Sequence, residues 1–504
     1  MLCAGCVETE GTEEKVLRVV FNEGPDTGGS LDPANSWTGW YVHQAGIYET
    51  LFYYDADMNL MPKLASGYKQ LNDTDWEIQL RENVNFHDGT KMNADAVLFS
   101  LNRVLDPSNS RSSEYSFIKD VQKTGGEYTI VIETNDTYAP LIASLVDPVM
   151  SIVSPGIVDA DKQPVGTGPF KFVSFEPGAS LEVEKNPDYW GGGEVKADRI
   201  LIQYNKDSTA RTMLIKSGDV DIARDPLQSE YSALQSNPDI NVTSRETLRT
   251  YFLYVNGGKA PFNDTRVRQA LSYAINRQEI VDTALEGGVS GIPAKGIFTN
   301  TMPWNANDQV ESYEYNPEKA LELFEEAGIT KGTDGKLYYN GEPFTIEIQT
   351  YTKRAALQPS AEIITSQLED IGITTTVTIL DSAALTENAV SGNYDFSFAA
   401  WSTAPTGDPD YFLSSHYLST GNYASNWLRY SNPQVDEWIL EARTEPDEKK
   451  RAELYDKIQA QVQEDAAIMP VFYANEIYAL SSDVEGFVMY PNEYTIITKD
   501  IGFA

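Results

Sequence analysis

The sequence predicts an α/β protein built from two or more lobes. Its 504 residues exceed what one simple core usually holds, so two or three lobes are expected. Short strand patterns alternate with isolated helix patterns along most of the chain. In the second half, a strand through Phe344, a helix over 357–371 and a β-branched strand over 373–380 follow one another with short links. This order indicates a right-handed βαβ unit in a parallel sheet.

Composition narrows the class of protein and the class of partner. The apolar fraction of 41%, with 29 Tyr and 8 Trp, is typical of a globular protein with an aromatic-rich cleft. No stretch approaches 18 consecutive apolar residues, so no membrane span is predicted. The net charge of -37 would repel the phosphates of nucleic acids, which are excluded as partners. The same field either favours a cationic ligand or serves surface solubility alone.

Cys3 and Cys6 are the two cysteines of the chain. They exclude a disulfide framework and a four-cysteine zinc site. A redox motif is disfavoured, because no βαβ pattern surrounds them. Residues 2–6 instead resemble the end of a lipoprotein signal, with Cys6 as the lipid-modified residue and 8–15 as a tether. The basic and apolar parts of such a signal are absent, so either the start codon lies inside a longer precursor or the motif is accidental.

The first elements in the chain are a strand at 16–21 and an aromatic loop that opens at Leu31. This loop carries Trp37, Trp40 and Tyr41, whose rings either stack on a ligand or pack beneath the chain. After it, residues 76–105 read as strand, turn and helix. The strand alternates polar and apolar residues, Gly89 allows the turn, and Asn93 is a suitable helix N-cap.

The later elements follow from the same patterns of period, cap and turn. Further strands are predicted at 129–133, 199–204, 219–222, 394–401 and 468–480, and further helices at 139–145, 208–217, from Asp264 to about 277, at 317–327, 433–442 and 447–464. The run 165–170 contains Gly166 and Gly168 but has Lys171 where a dinucleotide fingerprint needs its third glycine. It is therefore a rigid backbone crossing rather than a phosphate-binding loop.

Four of these segments resemble, in order and spacing, the extracellular solute-binding proteins of ABC importers, the peptide/nickel-binding family. They are 64–105, 166–170, 186–191 and 266–277, and the resemblance extends from about 17 to 480. It implies the large, type II, two-lobed clamshell of periplasmic binding proteins. Residues 1–15 would be signal remnant and tether, 16–48 with 167–250 and 480–504 the core of lobe I, 49–166 its extra subdomain, and 251–479 lobe II.

The resemblance also implies a function. The protein would capture a small polar ligand, either a short peptide or a nickel chelate, by closure of its lobes. It would deliver that ligand to the permease subunits of an ABC importer in the membrane, as a monomer and without a cofactor. Its location would be extracytoplasmic, either periplasmic or anchored to the outer face of the cell membrane through lipid at Cys6.

Trp401 and the loop that follows it are the main candidates for the ligand site. Trp401 ends a predicted strand, where open α/β sheets bind their ligands. Peptide-binding members of the family carry an acid shortly after this Trp; here 403–405 has none, and Asp408 follows a few residues later. Nickel-chelate binders use a Trp at this place, with which Trp401 agrees.

Two arginines complete the predicted site. Nickel-chelate binders use an Arg soon after the helix that ends here at Leu105, a position that Arg111 fits. The second Arg expected near 148–151 and the His expected near 421–422 are absent. Arg354 lies in a stretch similar to nickel- and opine-type members, although a solvated helix start would explain it equally well. Arg111 and Arg354 could each pair bidentately with a carboxylate of the ligand.

Sequence motifs give no support to an enzyme. There is no Gly-x-Ser-x-Gly elbow, no His-Glu-x-x-His helix and no phosphate loop. His43, His87 and His416 lie far apart in sequence, so neither a metal site nor a catalytic triad is predicted. The alternative functions are an anchored hydrolase, which should turn over a substrate, and an adhesin, which should show repeats that this chain lacks.

Overall fold

The computed structural model describes residues 15–25, 29–285 and 287–504. Cys3 and Cys6 lie outside the described residues, so lipid attachment at Cys6 stays a prediction. Within the described chain, no helix is long and apolar enough to cross a membrane.

Strands and short helices alternate along the whole chain. The strands are β1 Val16–Phe21, β2 Phe52–Tyr54, β3 Leu60–Pro62, β4 Ala65–Gln70, β5 Asp75–Leu80, β6 Ile118–Lys123, β7 Thr129–Thr134, β8 Phe170–Glu176, β9 Ser180–Lys185, β10 Arg199–Tyr204, β11 Ile222–Arg224, β12 Ile240–Val255, β13 Gly291–Pro293, β14 Ile329–Lys331, β15 Leu337–Tyr339, β16 Glu342–Pro343, β17 Thr345–Thr350, β18 Thr374–Ile379, β19 Phe396–Ser402, β20 Ile468–Ser481, β21 Val484–Glu485 and β22 Gly502–Phe503. The helices are α1 Thr38–Gln44, α2 Ala94–Leu105, α3 Leu141–Ser144, α4 Ser208–Ser217, α5 Tyr231–Gln235, α6 Thr265–Ala274, α7 Arg277–Ala284, α8 Pro317–Glu326, α9 Leu357–Asp370, α10 Ser382–Ser391, α11 Asp410–His416, α12 Pro433–Thr444 and α13 Glu448–Glu464.

A single 11-stranded sheet runs through the molecule in the order β18-β17-β19-β12-β20-β11-β1-β10-β9-β8, with β13 added to β20. A separate four-stranded sheet has the order β4-β5-β7-β6. We use "first lobe" for the elements from β1 to β11 together with residues 484–504, which share a core with β1 and β10, and "second lobe" for β17–β19 and helices α6–α13. The finer boundaries given above stay a prediction.

Two long strands join the lobes. β12 and β20 are antiparallel partners that pair over nearly their whole length. One end of the pair meets β11 of the first lobe, and the other end meets β19 of the second. The register shifts between Glu246 and Thr250, at the point where the strands pass from one lobe to the other. A bulge bends and twists a strand, so this point is suited to act as a hinge.

The two lobes contact each other at a distance from these strands. Tyr138 of the first lobe donates a hydrogen bond of 2.8 Å from its hydroxyl to Asp410 of the second. The backbone amide of Ala139 donates to the carbonyl of Arg443 at 2.7 Å. Tyr494 donates from its hydroxyl to the carbonyl of Pro405 at 3.2 Å. The two lobes are therefore in direct contact in this structure.

Most elements expected from the sequence are confirmed. β17 and β18 are parallel neighbours with α9 between them, as the predicted βαβ unit requires. The side chains of Asn93 and Asp264 accept hydrogen bonds from the first turns of α2 and α6, as predicted for N-caps. These signals are local, because an N-cap needs only the side chain and the amides that follow it.

The aromatic segment after Leu31 is a correction, because it is a helix rather than a loop. Trp37 precedes α1, and Trp40 and Tyr41 lie within it. Gly39 and the aromatic residues are weak helix formers, so propensity gave no signal. Packing decides instead, since a Cβ atom on Gly39 would stand 2.6 Å from the carbonyl oxygen of Pro33. The strand expected at 219–222 is shifted to Ile222–Arg224, and the helix expected at 139–145 is only Leu141–Ser144.

The backbone crossing at 165–170 is closely packed, as its two glycines predict. A Cβ atom on Gly166 would lie 2.1 Å from the carbonyl oxygen of Ile47, so this crossing excludes any side chain. His87 secures the same crossing, since its Nδ1 accepts from the amide of Gly166 at 3.4 Å and its Nε2 donates to the carbonyl of Gly168 at 3.0 Å. Burial lowers the pKa of His87 to about 4, and the ring is neutral at pH 7.

Candidate functional site

The ends of three strands bring the candidate residues together between the lobes. Glu23 follows β1, Arg354 follows β17, and Trp401 is near the end of β19. The carboxyl ends of strands are where open α/β sheets bind ligands. Here Nη2 of Arg354 lies 3.9 Å from Oε2 of Glu23, so an ion pair spans the two lobes at this place.

Glu23 is held ready in its charged form. Tyr41 donates a hydrogen bond of 3.1 Å from its hydroxyl to Oε2 of Glu23. Burial opposes the charge, but the cations Arg354 and Lys353 outweigh it and lower the pKa of Glu23 below its ordinary value. Burial opposes the charge of Arg354, but the combined attraction of Glu23, Glu493 and nearby tyrosines raises its pKa. Both groups are therefore ionised at neutral pH.

The N–H donors of the Arg354 guanidinium have no acceptor among the described residues. A distance of 3.9 Å is too long for a hydrogen bond, so Glu23 attracts the guanidinium without accepting from it. Among the described residues, no other group accepts a hydrogen bond from Arg354. The side chain is only 24% exposed, so water reaches few of its donors. Among ligand groups, a carboxylate has the geometry and charge that best match a guanidinium with free donors.

Aromatic rings line the wall that the first lobe contributes. Trp37 meets Trp40 edge to face at 6.4 Å between ring centroids, and Trp40 meets Tyr494 in the same way at 5.0 Å. Trp37 is 41% exposed, whereas Trp40 is half-buried. The sequence left open whether these rings pack or stack on a ligand; Trp40 is packed on one side, and Trp37 remains available.

Arg111 is already occupied by the protein's own carboxylates. Its Nε and Nη2 donate to Glu114 at 3.0 and 2.7 Å, and its Nη1 and Nη2 donate to Asp147 at 3.1 and 2.7 Å. The ring of Trp37 covers the guanidinium at 3.9 Å. Burial opposes the charge, but Asp147 and Glu114 raise the pKa of Arg111 further. The expectation that Arg111 pairs with a ligand carboxylate therefore meets two competitors within the fold.

Aromatic rings also line the wall that the second lobe contributes. Trp401 is half-buried and meets His416 and Tyr423 edge to face at 5.2 and 5.1 Å. His416 is stacked between Tyr423 at 4.3 Å and Phe412 at 3.7 Å. Burial lowers the pKa of His416 to about 3, so it is a neutral part of this stack rather than a proton carrier.

Asp408 is committed to the interior of the second lobe. It is 2% exposed. Its Oδ1 accepts from the hydroxyl of Tyr455 at 2.7 Å and from the amide of Asp410 at 2.9 Å. Its Oδ2 is paired with Arg451 at 3.6 Å. We therefore do not include Asp408 in the proposed site, although the sequence placed it in the cleft loop.

Sequence reasoning missed several side chains of this cleft. Glu23 and Glu114 were not singled out, nor were Tyr411 and Tyr423 of the second lobe. Glu23 could have been found, because it directly follows the first strand of the chain. The other three had no local signal, since they meet only when the lobes close.

A large cavity also lies away from the cleft. Its volume is about 1060 Å³, and its walls come from residues 43–83, 169–192 and 490–500, all of the first lobe. Lys63 there pairs with the buried carboxylate of Glu49 at 3.1 Å and lies over the ring of Trp190. Because no residue of the second lobe lines this cavity, closure of the lobes would not enclose a ligand bound there.

The described residues hold no group of three or more His, Cys, Asp or Glu side chains arranged to bind a metal ion. The cleft instead offers a guanidinium with free donors, an ionised carboxylate beside it and two aromatic walls. Such a site binds by charge and stacking and has no nucleophile poised beside a base.

A two-lobed α/β fold with hinge strands and an aromatic cleft defines a clamshell binding protein. Residues 59–424 match the family described as bacterial extracellular solute-binding proteins, family 5 Middle, and the chain belongs to this family. The chain is therefore a substrate-binding protein of an ABC importer that acts outside the cytoplasm, and it is not an enzyme. The expected family, fold class and absence of catalysis are confirmed.

Individual relatives cover nearly the whole chain. The chain is 30% identical over 468 residues to heme-binding protein A of Haemophilus influenzae, covering 86% of this chain and 83% of the relative. It is 27% identical over 510 residues to di/tripeptide-binding protein 1 of Pseudomonas aeruginosa, covering 94% and 92%. The solved structure of a nickel ABC transporter from Bacillus halodurans is similar with a TM-score of 0.80 and 31% identity, covering 97% and 100%.

Proposed function

We propose that the cleft binds a short peptide and that lobe closure presents it to the permease subunits of an ABC importer. One observation carries the proposal. Arg354 is partly buried, charged and without a hydrogen-bond acceptor among the described residues, so it would take the carboxylate of a peptide. The similarity to a di/tripeptide-binding protein supports the same ligand class.

The remaining groups of the proposed site would orient the ligand. Trp37, Trp40 and Trp401 give flat apolar surface on opposite walls, and such rings accept side chains of differing shape. Tyr41 would hold Glu23 in place beside Arg354. Arg111 would not contact the ligand itself; its guanidinium would support the ring of Trp37. No covalent chemistry is needed, because closure alone would bury the ligand.

A nickel chelate is the second candidate ligand. Trp401 stands where nickel-chelate binders of this family have a Trp, and one solved structure similar to this chain is a nickel transporter. The chelator would have to bring its own metal ligands, and its carboxylates would pair with Arg354 in the same way as a peptide. The two candidates therefore share the arginine and differ in the presence of metal.

Native mass spectrometry of freshly purified protein, combined with metal analysis, distinguishes them. A mixture of peptide masses without metal supports the peptide and refutes the chelate. A single adduct that contains nickel and a small organic molecule has the opposite meaning. The same sample, analysed by light scattering, tests the proposal that the protein is a monomer.

We also propose that Cys6 carries the lipid that anchors the protein at the outer face of the membrane. The small residues Ala4 and Gly5 before it support this, since a signal peptidase accepts small side chains there. Expressed from its native gene, the wild-type protein should partition into detergent and Cys6→Ala into the aqueous phase. A wild-type protein found in the aqueous phase would refute the anchor.

A further inference from the structure

Beyond the carboxylate contact, we propose that Glu114 and the exposed part of Trp37 form a subsite for a positively charged group of the ligand. This inference rests on the proposed function, because it concerns the same cleft. It assigns a charge requirement to a part of the ligand that Arg354 does not reach.

The first step is the balance of charge around Arg111. One guanidinium serves two carboxylates, those of Asp147 and Glu114. Asp147 is 1% exposed and also accepts from the hydroxyl of Tyr115 at 2.7 Å and from the amide of Val149 at 3.0 Å. Its needs are met within the fold. Glu114 shares the same cation, so the group as a whole keeps one negative charge.

That excess charge lies where a ligand can reach it. The side chain of Glu114 is 30% exposed, compared with 5% for Arg111. Each oxygen of Glu114 accepts a hydrogen bond from Arg111, so each keeps a lone pair for a further donor. A ligand ammonium or guanidinium can supply that donor without displacing Arg111.

The charge of Glu114 acts on two tyrosines of the second lobe. Tyr411 and Tyr423 belong to the second lobe, and both feel the negative charge of Glu114. Burial and Glu114 together raise the pKa of Tyr423 to about 12, and they raise that of Tyr411 as well. Both phenols are therefore neutral. They bring no competing positive charge.

Trp37 completes the subsite. Its ring already lies over the guanidinium of Arg111 at 3.9 Å, which fixes its orientation. It is 41% exposed, so part of its surface stays open to the cleft. A carboxylate beside a tryptophan ring is a favourable environment for a cation, because both the charge and the ring quadrupole attract it. A neutral ligand group gains only the apolar part of this contact.

The two charged subsites are separate. Arg354 follows β17 of the second lobe and is paired with Glu23, whereas Glu114 belongs to the first lobe and is paired with Arg111. The two charges therefore lie on different lobes and have different partners. A ligand that satisfies both subsites carries a carboxylate at one end and a positive charge at the other. A short peptide with an arginine or lysine side chain has this form.

Arginine and citrulline provide the test, because they have nearly the same shape and differ in charge. We would measure Kd by titration calorimetry for the three tripeptides that contain one arginine and two alanines, and for their citrulline counterparts. The wild-type protein should bind at least one arginine peptide about 10- to 100-fold tighter than its counterpart, the range of a charge-assisted hydrogen bond. Glu114→Gln should reduce that ratio to about 3 or less.

Glu176→Gln is the matched control. Glu176 is an exposed glutamate on β8, outside the cleft, and its loss changes the net charge equally. It should keep the wild-type ratio. Thermal unfolding of each ligand-free variant checks that it folds. If Glu114→Gln does not fold, the ratio of the two Kd values measured on the wild-type protein still tests whether the ligand needs a positive charge.

The possible outcomes distinguish failure of the proposed subsite from failure of the proposed peptide-binding function. If no tripeptide binds, the peptide function and this inference both fail. If tripeptides bind but arginine and citrulline are equal, the function stands and the charge subsite is refuted. If the preference survives in Glu114→Gln, the assignment to Glu114 is refuted.

Discussion

Arg354→Gln tests the proposed site most directly. The substitution keeps a polar side chain of similar reach but removes the charge and most of the donors. In the ligand-free protein the loss is small, because Arg354 makes one ion pair at 3.9 Å and no hydrogen bond with the described residues. A pair of this kind contributes about 0–1 kcal/mol. We therefore expect the free energy of unfolding without ligand to change by less than about 1 kcal/mol.

The effect on the ligand-bound protein is larger. A charge-assisted hydrogen bond to a carboxylate is worth about 1.5–3 kcal/mol, which corresponds to a 10- to 100-fold weaker Kd. At a ligand concentration of about 1,000 times the wild-type Kd, binding adds about 4.1 kcal/mol to the free energy of unfolding. The variant should retain about 1.4–2.7 kcal/mol of this stabilisation.

Urea unfolding with and without the tightest-binding tripeptide measures both quantities in one series. Lys353→Gln is the control, since Lys353 is the exposed neighbour of Arg354 and its charge also acts on Glu23. It should keep the wild-type ligand stabilisation. Equal losses in both variants would mean that the general field of the cleft attracts the ligand. An unchanged stabilisation in Arg354→Gln would refute the site.

Three further predictions concern the cleft wall, the backbone crossing and its histidine. Trp401→Ala should abolish ligand-induced stabilisation while the ligand-free protein stays folded, about 2–4 kcal/mol less stable because aromatic contacts are lost; unchanged ligand stabilisation in thermal shift would place Trp401 outside the site. Gly166→Ala should cost about 2–4 kcal/mol in urea unfolding, because its Cβ would press on the carbonyl of Ile47, whereas Gly67→Ala, which meets nothing within 4 Å, should stay within about 1 kcal/mol. His87 is protonated below about pH 6.5 in the unfolded chain but only below about pH 4 in the folded protein, because burial lowers its pKa. Its contribution to the free energy of unfolding is therefore fully present above pH 6.5 and is lost as the pH falls toward 4. Between pH 6.5 and 4, the free energy of unfolding of His87→Asn should therefore fall by about 2–3 kcal/mol less than that of the wild-type protein. Parallel profiles of the free energy of unfolding against pH would contradict this.

The sequence predicted what depends on neighbouring residues. The N-cap at Asn93 and the end of α4 at Ser217 each depend on a single turn of chain, and both are found where expected. The βαβ unit around α9 is equally local, because a strand, a helix and a strand with short links have one favoured handedness. Resemblance then gave the arrangement of lobes, which no single segment specifies.

The contacts of the site could not be predicted in the same way. Arg111 was identified as a ligand residue, but Asp147, which occupies it, comes from a distant turn. Asp408 lies in the expected loop, yet its partner Tyr455 lies on α13. In both cases the fold pairs a charge that the sequence presents as free. Burial of an unpaired charge is costly, so long-range partners are the rule, and one sequence does not reveal them.

The pairing of Glu23 with Arg354 explains how the ligand can control closure. Without a ligand, closure brings Nη2 of Arg354 to 3.9 Å from Oε2 of Glu23. At this distance the two charges attract each other but form no hydrogen bond. The guanidinium gives up hydration and gains no hydrogen bond, so the closed form is little favoured. A ligand that fills the free donors of Arg354 in the second lobe and also stacks on the aromatic wall of the first lobe makes both contacts only when the lobes meet. Its differential affinity for the closed form is then the free energy that drives closure.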